Sequence, residues 1–336
     1  MKIVVDAMGG DKAPLNIVDG AVLAAREFAE KHTDHQVILT GPEDVVRREI
    51  TRCQGDDLLG TALRVVHAED LIEMHESPAV ALTKKTRSSV HVGVELVKKG
   101  EANGFVSMGN TGAVMAIGLM GLGRIEGVLR PTIGAFFPTV KGKCLVLDVG
   151  ANVDCKPAHL LQFGMMGSIY MHTMMDIESP AVGLLSVGEE DSKGDELTVK
   201  SNELFREKKL FNFTGNVEGR DILNGTTNVV VCDGFVGNVA LKMAESVIKV
   251  LKTKVAAYGQ QAGPDVVRVF QDFFGKSMAD WDYQSHGGVP LLGVNGVVII
   301  GHGSSSPKAL VRAVQVAKEM AEKKITSVIR EKIKLS

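Results

Sequence analysis

The stretch from Phe105 to Ile117 constrains the fold of this chain more than any other part of its sequence. It begins as an apolar run typical of a buried strand, breaks at Gly109, and resumes from Thr111 as an apolar run that favours a helix. Such a turn leaves the first amide groups of the helix unpaired, and together with the helix dipole these groups attract anions. The stretch therefore predicts either an ordinary α/β connection or a phosphate-sized anion site.

The glycines and polar residues of this turn favour an anion site. The glycines Gly109 and Gly112 would let a phosphate approach the backbone, and the side chains of Ser107, Asn110 and Thr111 would add hydrogen bonds. We predict that Asn110 and Thr111 take part directly in the reaction.

Basic residues on either side of this stretch are candidates to neutralise the anion. Lys84 and Lys85 lie just before a helix predicted at 90–99, and Arg130 follows the helix that starts at Thr111. A solvated surface is the alternative interpretation of such basic residues.

Strand-like runs alternate with helical periodicity along most of the chain, which predicts a mostly parallel sheet covered by helices. The strands are expected at 3–5, 36–40, 63–66, 105–108, 132–137, 144–147, 182–186, 211–214, 229–231 and 290–300. The helices are expected at 17–30, 42–50, 90–99, 157–175, 196–208 and from 308 onwards as one final helix.

Acidic, amide or glycine residues follow several of these strands, where open α/β sheets bind their ligands. Further candidates for substrate or phosphate binding share this position at a strand end: Asp6, Gly9, Gly10, Asp11, Asp148, Gly150, Asn152, Lys193, Asp233 and Gly237. Asn238 and His302 are candidates for catalysis from the same kind of turn. A turn-forming or helix-capping role is the alternative for the acidic ones.

From Val239 the alternation gives way to two consecutive helices, separated by a break at 259–264. We predict a single α/β domain over 1–336 with a projecting helical hairpin at 239–285. Apolar residues on a projecting hairpin indicate a partner chain, and a basic, apolar tip indicates a membrane surface. The predicted membrane contacts are Leu251, Val255, Ala256 and Tyr258.

Composition and missing motifs exclude several classes of protein. The net charge of −2 provides no basic field for nucleic acid, and no apolar run reaches membrane-spanning length, so a cytosolic protein is expected. Neither the cysteines nor the histidines show a metal-ligand spacing, and we expect no metal and no cofactor. The chain lacks the Gly-x-Gly-x-x-Gly, Gly-x-Ser-x-Gly and Walker motifs at the required positions. The strand ends carry glycines, amides, hydroxyls and scattered lysines and arginines. This combination suits transfer to or from phosphate, a reaction that depends on positioning and charge stabilisation.

Seven ordered motifs, spread over nearly the whole chain, resemble those of the bacterial phosphate acyltransferases of phospholipid synthesis. They are Asp6-Ala-Met-Gly-Gly-Asp11, Gly109-Asn-Thr-Gly-Ala113, Asp148-Val-Gly-Ala-Asn152, Gly188-Glu-Glu-Asp-Ser-Lys-Gly194, Gly215-Asn-Val-Glu-Gly-Arg220, Cys232-Asp-Gly-Phe-Val-Gly-Asn238 and His302-Gly-Ser-Ser305. The chain departs from the family pattern at Lys12, where a histidine is common, and at Met108, where an alanine is common.

The resemblance implies a Rossmann-like α/β/α sandwich, akin to phosphotransacetylases and isocitrate-type dehydrogenases, and a homodimer. It implies conversion of acyl-acyl carrier protein and inorganic phosphate into acyl phosphate and free carrier protein. It also implies attachment to the inner face of the membrane and a functional link to the membrane glycerol-phosphate acyltransferase. Three alternatives stay open: a phosphotransacetylase acting on acyl-CoA, a nicotinamide-dependent dehydrogenase, and a non-catalytic scaffold of lipid synthesis.

On this basis we expect the start of the helix at Asn110 to Gly112 to hold phosphate, which attacks the thioester carbonyl. Backbone amides at Gly150 to Asn152 or at Gly237 to Asn238 would receive the developing oxyanion. His302 is the candidate proton donor to the leaving thiolate, with an ordinary surface or core histidine as the alternative.

Overall fold

The computed structural model describes residues 1–31, 33–276 and 287–334. Its strands are β1 (Lys2–Asp6), β2 (Gln36–Gly41), β3 (Leu63–His67), β4 (Gly104–Ser107), β5 (Thr132–Thr139), β6 (Gly142–Leu147), β7 (Ala181–Leu185), β8 (Asn212–Val217), β9 (Val229–Val231), β10 (Val289–Leu292) and β11 (Val297–Ile300). Its α-helices are α1 (Leu15–Glu30), α2 (Glu43–Arg52), α3 (Pro78–Lys84), α4 (Ser89–Lys98), α5 (Thr111–Leu122), α6 (Pro157–Met175), α7 (Glu196–Lys208), α8 (Gly219–Asn224), α9 (Gly234–Ala262), α10 (Pro264–Lys276), α11 (Pro307–Glu322) and α12 (Ile325–Lys334).

All eleven strands form one sheet in the order β3-β2-β1-β4-β11-β10-β5-β6-β9-β7-β8. Strands β3, β2, β1, β4 and β11 are parallel to one another, and so are β6, β9, β7 and β8. The antiparallel strands β10 and β5 join the two blocks, which therefore run in opposite directions. The predicted mostly parallel α/β sheet is confirmed.

Helices cover both faces of the sheet because the strands present apolar side chains to both sides. On one face α1, α6, α7, α11 and α12 pack against the sheet in a core that includes Phe163 and Phe205. On the other face α4, α5, α8 and the first turns of α9 pack in a core that includes Phe105 and Ile117. The result is an α/β/α sandwich.

The structure differs from the sequence prediction in two short helices that were not predicted, α3 and α8, and in the course of two segments. The single strand expected at 290–300 is an antiparallel pair, β10 and β11, because the chain reverses after Gly293, whose φ of 91° favours glycine. The single final helix is two helices, α11 and α12, because Lys324 adopts a left-handed conformation with a φ of 51°.

The predicted helical hairpin is present as α9 and α10, which pack against each other near the turn at Gly263. Residues 277–286, which the sequence prediction included in or next to the hairpin, lie outside the described residues. Within the described ranges, no helix is both long enough and apolar enough to cross a membrane.

Candidate active site

A cavity of about 470 Å³ opens where the first turns of α5, α9 and α11 approach one another. Its floor comes from β5 and β10, and its walls come from the loops that follow β1, β4, β6 and β11. The polar groups in its lining include Asp11, Thr111, Asn238, His302 and Ser305. Much of the remaining lining is apolar, which gives the cavity a polar and an apolar part. We call it the main cavity.

The first turn of α5 is the open helix terminus at this cavity. The side-chain Oδ1 of Asn110 accepts the Ala113 amide at 3.0 Å and caps the helix. The amides of Thr111 and Gly112 have no hydrogen-bond acceptor within the described residues. Thr111 lines the cavity and is exposed. Two amide groups and a hydroxyl are therefore available to an anion.

The side chain of Asn110 also fixes the loop beside this terminus. Its Nδ2 donates to the carbonyl oxygens of Glu73, Met74 and Glu76 at 3.3, 3.1 and 2.8 Å. Met74 lines the main cavity, so this tether shapes the wall next to the open amides. The structure gives Asn110 a positioning role, and its predicted contact with substrate stays a prediction.

A buried carboxyl group supports the same turn from below. The Ser107 hydroxyl donates to Asp6 Oδ2 at 2.7 Å and accepts the Gly109 amide at 3.0 Å, and the Met8 amide donates to Asp6 Oδ1 at 3.1 Å. Burial raises the pKa of Asp6 above its usual value, and these hydrogen bonds oppose that rise. Asp6 is 2% exposed, so it shapes the turn from behind.

A second buried carboxyl group organises the turn after β6. Asp148 accepts the amides of Ile133, Ala151 and Asn152, the last at 2.6 Å, and the Asn152 side chain at 2.9 Å. Burial raises the pKa of Asp148, and the hydrogen bond from the Asn152 side chain opposes this most. The predicted binding residues Asp148 and Asn152 are thus bonded mainly to each other and to nearby backbone.

The first turn of α9, unlike that of α5, has its amides occupied. The Gly234 amide donates to the carbonyl of Asn152 at 2.7 Å, and Asp233 Oδ1 accepts the amides of Phe235 and Val236. The Gly237 amide donates to the carbonyl of Asp233 at 3.1 Å. The expectation that the amides of Asn152 and Gly237 receive an oxyanion is therefore corrected, because both already have internal acceptors.

His302 lies exposed at the rim of the main cavity. Its Nδ1 accepts the amide proton of Ser304 at 3.2 Å and lies 2.8 Å from the Ser304 hydroxyl. Because a backbone amide always donates, the neutral ring carries its proton on Nε2. This tautomer presents an N–H group that can donate a hydrogen bond to a group bound in the cavity.

A second cavity, of about 330 Å³, lies beside the main one. Arg124 and Arg130 line it together with Asn152 and with apolar residues, among them Met115 and Leu119. We call it the arginine cavity.

Comparisons with known proteins agree with this arrangement. A family model described as a fatty acid synthesis protein matches residues 1–328. A phosphate acyltransferase of Geobacter sp. (strain M21) is 49% identical over 99% of this chain and 93% of its own length. Those of Citrifermentans bemidjiense and Pelotomaculum thermopropionicum are 48% and 46% identical over 99% of this chain, and over 93% and 95% of their own lengths.

This chain belongs to the bacterial phosphate acyltransferase family. The prediction of an acyltransferase enzyme is confirmed.

Solved structures show how far the phosphate acyltransferase fold extends. A phosphotransacetylase from Streptococcus pyogenes superposes with a TM-score of 0.62 at 18% identity, over 96% of this chain and 94% of that one. The EutD phosphotransacetylase from Staphylococcus aureus superposes with a TM-score of 0.61 at 16% identity, over 96% of this chain and 94% of that one. At these identities the likeness concerns the fold, and the predicted likeness to phosphotransacetylases is confirmed.

The main cavity of this phosphate acyltransferase brings together part of the predicted site. The predicted residues that line it are Asp11, Gly109, Thr111, Gly150, Asn238 and His302. Asp6, Gly9, Gly10, Gly112, Asn110, Asp148, Asp233 and Gly237 are contiguous with that lining and shape it. Their contacts with substrate stay predictions.

The predicted basic residues do not line the main cavity. Lys85 forms an ion pair with Glu76 at 2.7 Å and also donates to the carbonyl of Leu71. Lys84 is exposed at the end of α3, and Lys193 is exposed in the loop after β7. None of the three lines the main cavity, and Arg130 lines the arginine cavity instead.

The sequence prediction missed several cavity residues, most notably Ser305 and Phe235. Ser305 is 4% exposed and lies just before α11, where Ser306 caps the helix by accepting the Ala309 amide. Its place in the His302-Gly-Ser-Ser305 motif was the available signal. Phe235 is 62% exposed and lines the cavity from α9, and no local pattern distinguishes it from a core residue.

Proposed function

We propose that this enzyme transfers a long-chain fatty acyl group from acyl-acyl carrier protein to inorganic phosphate, giving acyl phosphate for phospholipid synthesis. The observation that carries the proposal is the joining of an open helix terminus to an apolar wall in one cavity. The names of its relatives support acyl transfer to phosphate. The carrier protein as donor and the role in phospholipid synthesis are our proposals.

The first turn of α5 is the proposed phosphate site. The unpaired amides of Thr111 and Gly112, the Thr111 hydroxyl and the helix dipole all favour an anion there. The corresponding turn of α9 offers no free amide, because Asp233 and Asn152 already accept its protons. We therefore place the phosphate at α5 and the acyl group between α5 and α9.

The chemistry requires no covalent enzyme intermediate. Phosphate dianion is nucleophilic at neutral pH, so one of its oxygens forms a bond to the thioester carbonyl carbon. The tetrahedral intermediate then collapses, the carbon–sulfur bond breaks, and the electron pair leaves with the thiolate. His302 Nε2–H is the proposed hydrogen-bond donor that stabilises this leaving thiolate, and Asn238 is the proposed side-chain donor to the oxyanion.

The apolar part of the main cavity favours a fatty acyl group over an acetyl group. Ile133 and Phe136 of β5 and Phe235 and Leu241 of α9 lie along it. A two-carbon acyl group would leave these side chains in contact with water, whereas each buried methylene contributes about 0.8 kcal/mol. This argues for a longer chain than a phosphotransacetylase uses.

The direct test is to incubate the purified protein with palmitoyl-acyl carrier protein and inorganic phosphate and to trap acyl phosphate with hydroxylamine. A parallel reaction contains palmitoyl-CoA. We expect phosphate-dependent hydroxamate from the carrier-protein donor. Product from palmitoyl-CoA as well would favour the phosphotransacetylase alternative, and no product from either donor would contradict the proposed function.

We also propose that α9 packs against its counterpart in a homodimer. Exposed apolar residues repeat along it at intervals of three and four: Val236, Val239, Met243, Val247 and Val250. This is the spacing of a helix that packs against another helix. We expect Met243→Glu with Val250→Glu to reduce the mass in sedimentation equilibrium from twice 35.9 kDa to a single chain. Val140→Glu, at a residue 82% exposed outside the hairpin, is the control, and an unchanged mass of the double variant would exclude this face.

Reversible membrane contact by the far half of α9 is a further proposal. Leu251 and Tyr258 are 44% and 58% exposed and lie two helical turns apart, Ala256 is exposed, and Val255 is half-buried. Lys249, Lys252 and Lys254 would face anionic lipid headgroups. We expect Leu251→Asp with Tyr258→Asp to lower co-sedimentation with vesicles that contain anionic phospholipid by roughly tenfold. Val140→Asp should leave it unchanged, and equal sedimentation of the double variant would contradict the proposal.

A further inference from the structure

The main cavity and the arginine cavity are lined by neighbouring residues of the same elements, and we call the two together the groove. Helix α5 contributes Thr111 to the first and Met115 and Leu119 to the second, at the spacing that places residues on one side of a helix. Strand β10 contributes Val289 to the first and Leu291 to the second, which share one face of the strand. The turn after β6 follows the same pattern, because Gly150 lines the main cavity and Ala151 lines the arginine cavity.

The groove therefore runs along α5 from its open first turn to its last turn. Helix α5 has twelve residues and is about 18 Å long. The groove starts at the proposed phosphate site and ends near two guanidinium groups, Arg124 and Arg130. Between these ends its walls are mainly apolar.

Arg130 has no ion pair or hydrogen bond with any residue that the structure describes. The residue is exposed, and its guanidinium group has five N–H donors and always carries a charge, so it is available to bind an anionic ligand. Arg124 is anchored by one of its N–H groups, which donates to the carbonyl of Leu129. This hydrogen bond orders the loop that leads directly into Arg130 and holds the two guanidinium groups at one end of the groove.

The surroundings of these arginines are also basic. The pKa of His159 lies below its usual value because the ring is partly withdrawn from water and because Arg130 and Lys156 are close to it. Arg330 donates to Asn295 Oδ1 at 3.0 Å, and Asn295 Nδ2 donates to the carbonyl of Arg124. Glu126 is paired with Lys334 at 2.6 Å. This end of the groove thus favours an anionic group.

A thioester substrate needs two grooves, because an acyl chain and a carrier arm leave the reacting carbonyl in different directions. The apolar part of the main cavity, along α9, suits the acyl chain. Acyl carrier protein and coenzyme A both present the thioester on a pantetheine arm that ends in a phosphate ester. We propose that the arginine cavity holds this arm and that Arg124 and Arg130 bind its phosphate. The inference rests on the proposed function and assigns Arg130 to the donor rather than to inorganic phosphate.

The test compares two donors that differ only in this phosphate, palmitoyl-pantetheine and palmitoyl-pantetheine 4′-phosphate. We expect the wild type to prefer the phosphorylated donor by about tenfold or more in kcat/KM, the typical effect of a charge-assisted hydrogen bond. In the Arg124→Gln, Arg130→Gln double variant the ratio should fall to about one, with an unchanged KM for inorganic phosphate. Arg48→Gln, on the remote and exposed helix α2, should keep the wild-type ratio.

A binding measurement separates this inference from the proposed function. Calorimetry with pantetheine 4′-phosphate should show binding to the wild type and to Arg48→Gln but not to the double variant, whether or not any donor turns over. A preserved donor ratio or equal binding in the double variant would overturn the inference. So would a raised KM for inorganic phosphate with both donors, which would return Arg130 to the acceptor phosphate.

Discussion

Asn110→Asp is expected to lower turnover by roughly 10²-fold and to raise the KM for inorganic phosphate. Aspartate is as good a helix cap as asparagine, so the hydrogen bond from the Ala113 amide should persist. The substitution removes the Nδ2 donors that hold the carbonyls of Glu73, Met74 and Glu76, and it places a negative charge beside the proposed phosphate site. Steady-state kinetics with phosphate as the varied substrate measures both effects.

Two further variants show whether the cap alone explains this result. Asn110→Ala should lose about 1 kcal/mol of unfolding free energy together with activity. Asp195→Ala removes an equivalent cap from α7, where Asp195 accepts the Thr198 amide at 2.8 Å, and should lose similar stability at full activity. Wild-type kinetics in Asn110→Asp would refute the role of the tether between α5 and the 73–76 loop.

Gly237→Ala is expected to lower the free energy of unfolding by about 3 kcal/mol and to reduce activity strongly. A β-carbon at this position would lie 1.9 Å from the carbonyl oxygen of Asp148, a buried backbone atom that cannot move aside. The first turn of α9 would have to shift, which breaks the hydrogen bond from the Gly234 amide to Asn152 and displaces Asn238 from the main cavity. Denaturant unfolding and the hydroxamate assay measure the two effects.

Gly219→Ala is the matched control for this substitution. Gly219 begins α8, and a β-carbon there would meet no atom within 4 Å. Alanine should therefore leave stability unchanged or slightly raised, since it lowers the entropy of the unfolded chain. If Gly237→Ala matched this control in unfolding free energy and in enzymatic rate, the close packing of α9 on the Asp148 turn would contribute to neither.

The contrast between α5 and α9 explains why similar sequence motifs have different roles. Both helices follow a strand, begin with a capping residue, and have glycine in the first turn. At α5 the cap uses one amide and leaves those of Thr111 and Gly112 open. At α9 the Asp148 turn comes so close that Gly234 bonds to it, and Asp233 accepts two more amides. The first can bind an anion, whereas the second shapes a wall.

The positions of the cations decide where the groove favours an anion. The tertiary structure places the predicted cations away from the α5 turn. Lys85 forms an ion pair with the Glu76 side chain, while Asn110 donates to the Glu76 carbonyl, so both residues hold the 73–76 loop. The cation predicted to help at the α5 turn, Arg130, lines the arginine cavity, whereas Thr111 lines the main cavity. Lys242 lines the main cavity but is paired with Glu245 at 2.9 Å, so the proposed phosphate site relies on amides, a hydroxyl and the helix dipole.

The sequence by itself determined most of the strands and helices, the family and most of the turns that line the main cavity. These features depend on residues that are close in the chain: Asn110 caps a helix only three residues away, and Asp233 caps the residues directly after it. Apolar runs and glycine breaks have the same short range, so periodicity detected them.

Only the tertiary structure decided which of these turns are open and which are filled. The partners of Asn110 Nδ2 lie 34 to 37 residues away, and the acceptor of the Gly234 amide and the carbonyl that Gly237 packs against lie at the turn after β6. Arg130 lines a different cavity from Thr111. The reversal at Gly293 and the opposite directions of the two parallel blocks are likewise set by packing. Contacts between distant segments leave no periodic trace in one sequence, because each partner looks like an ordinary loop residue.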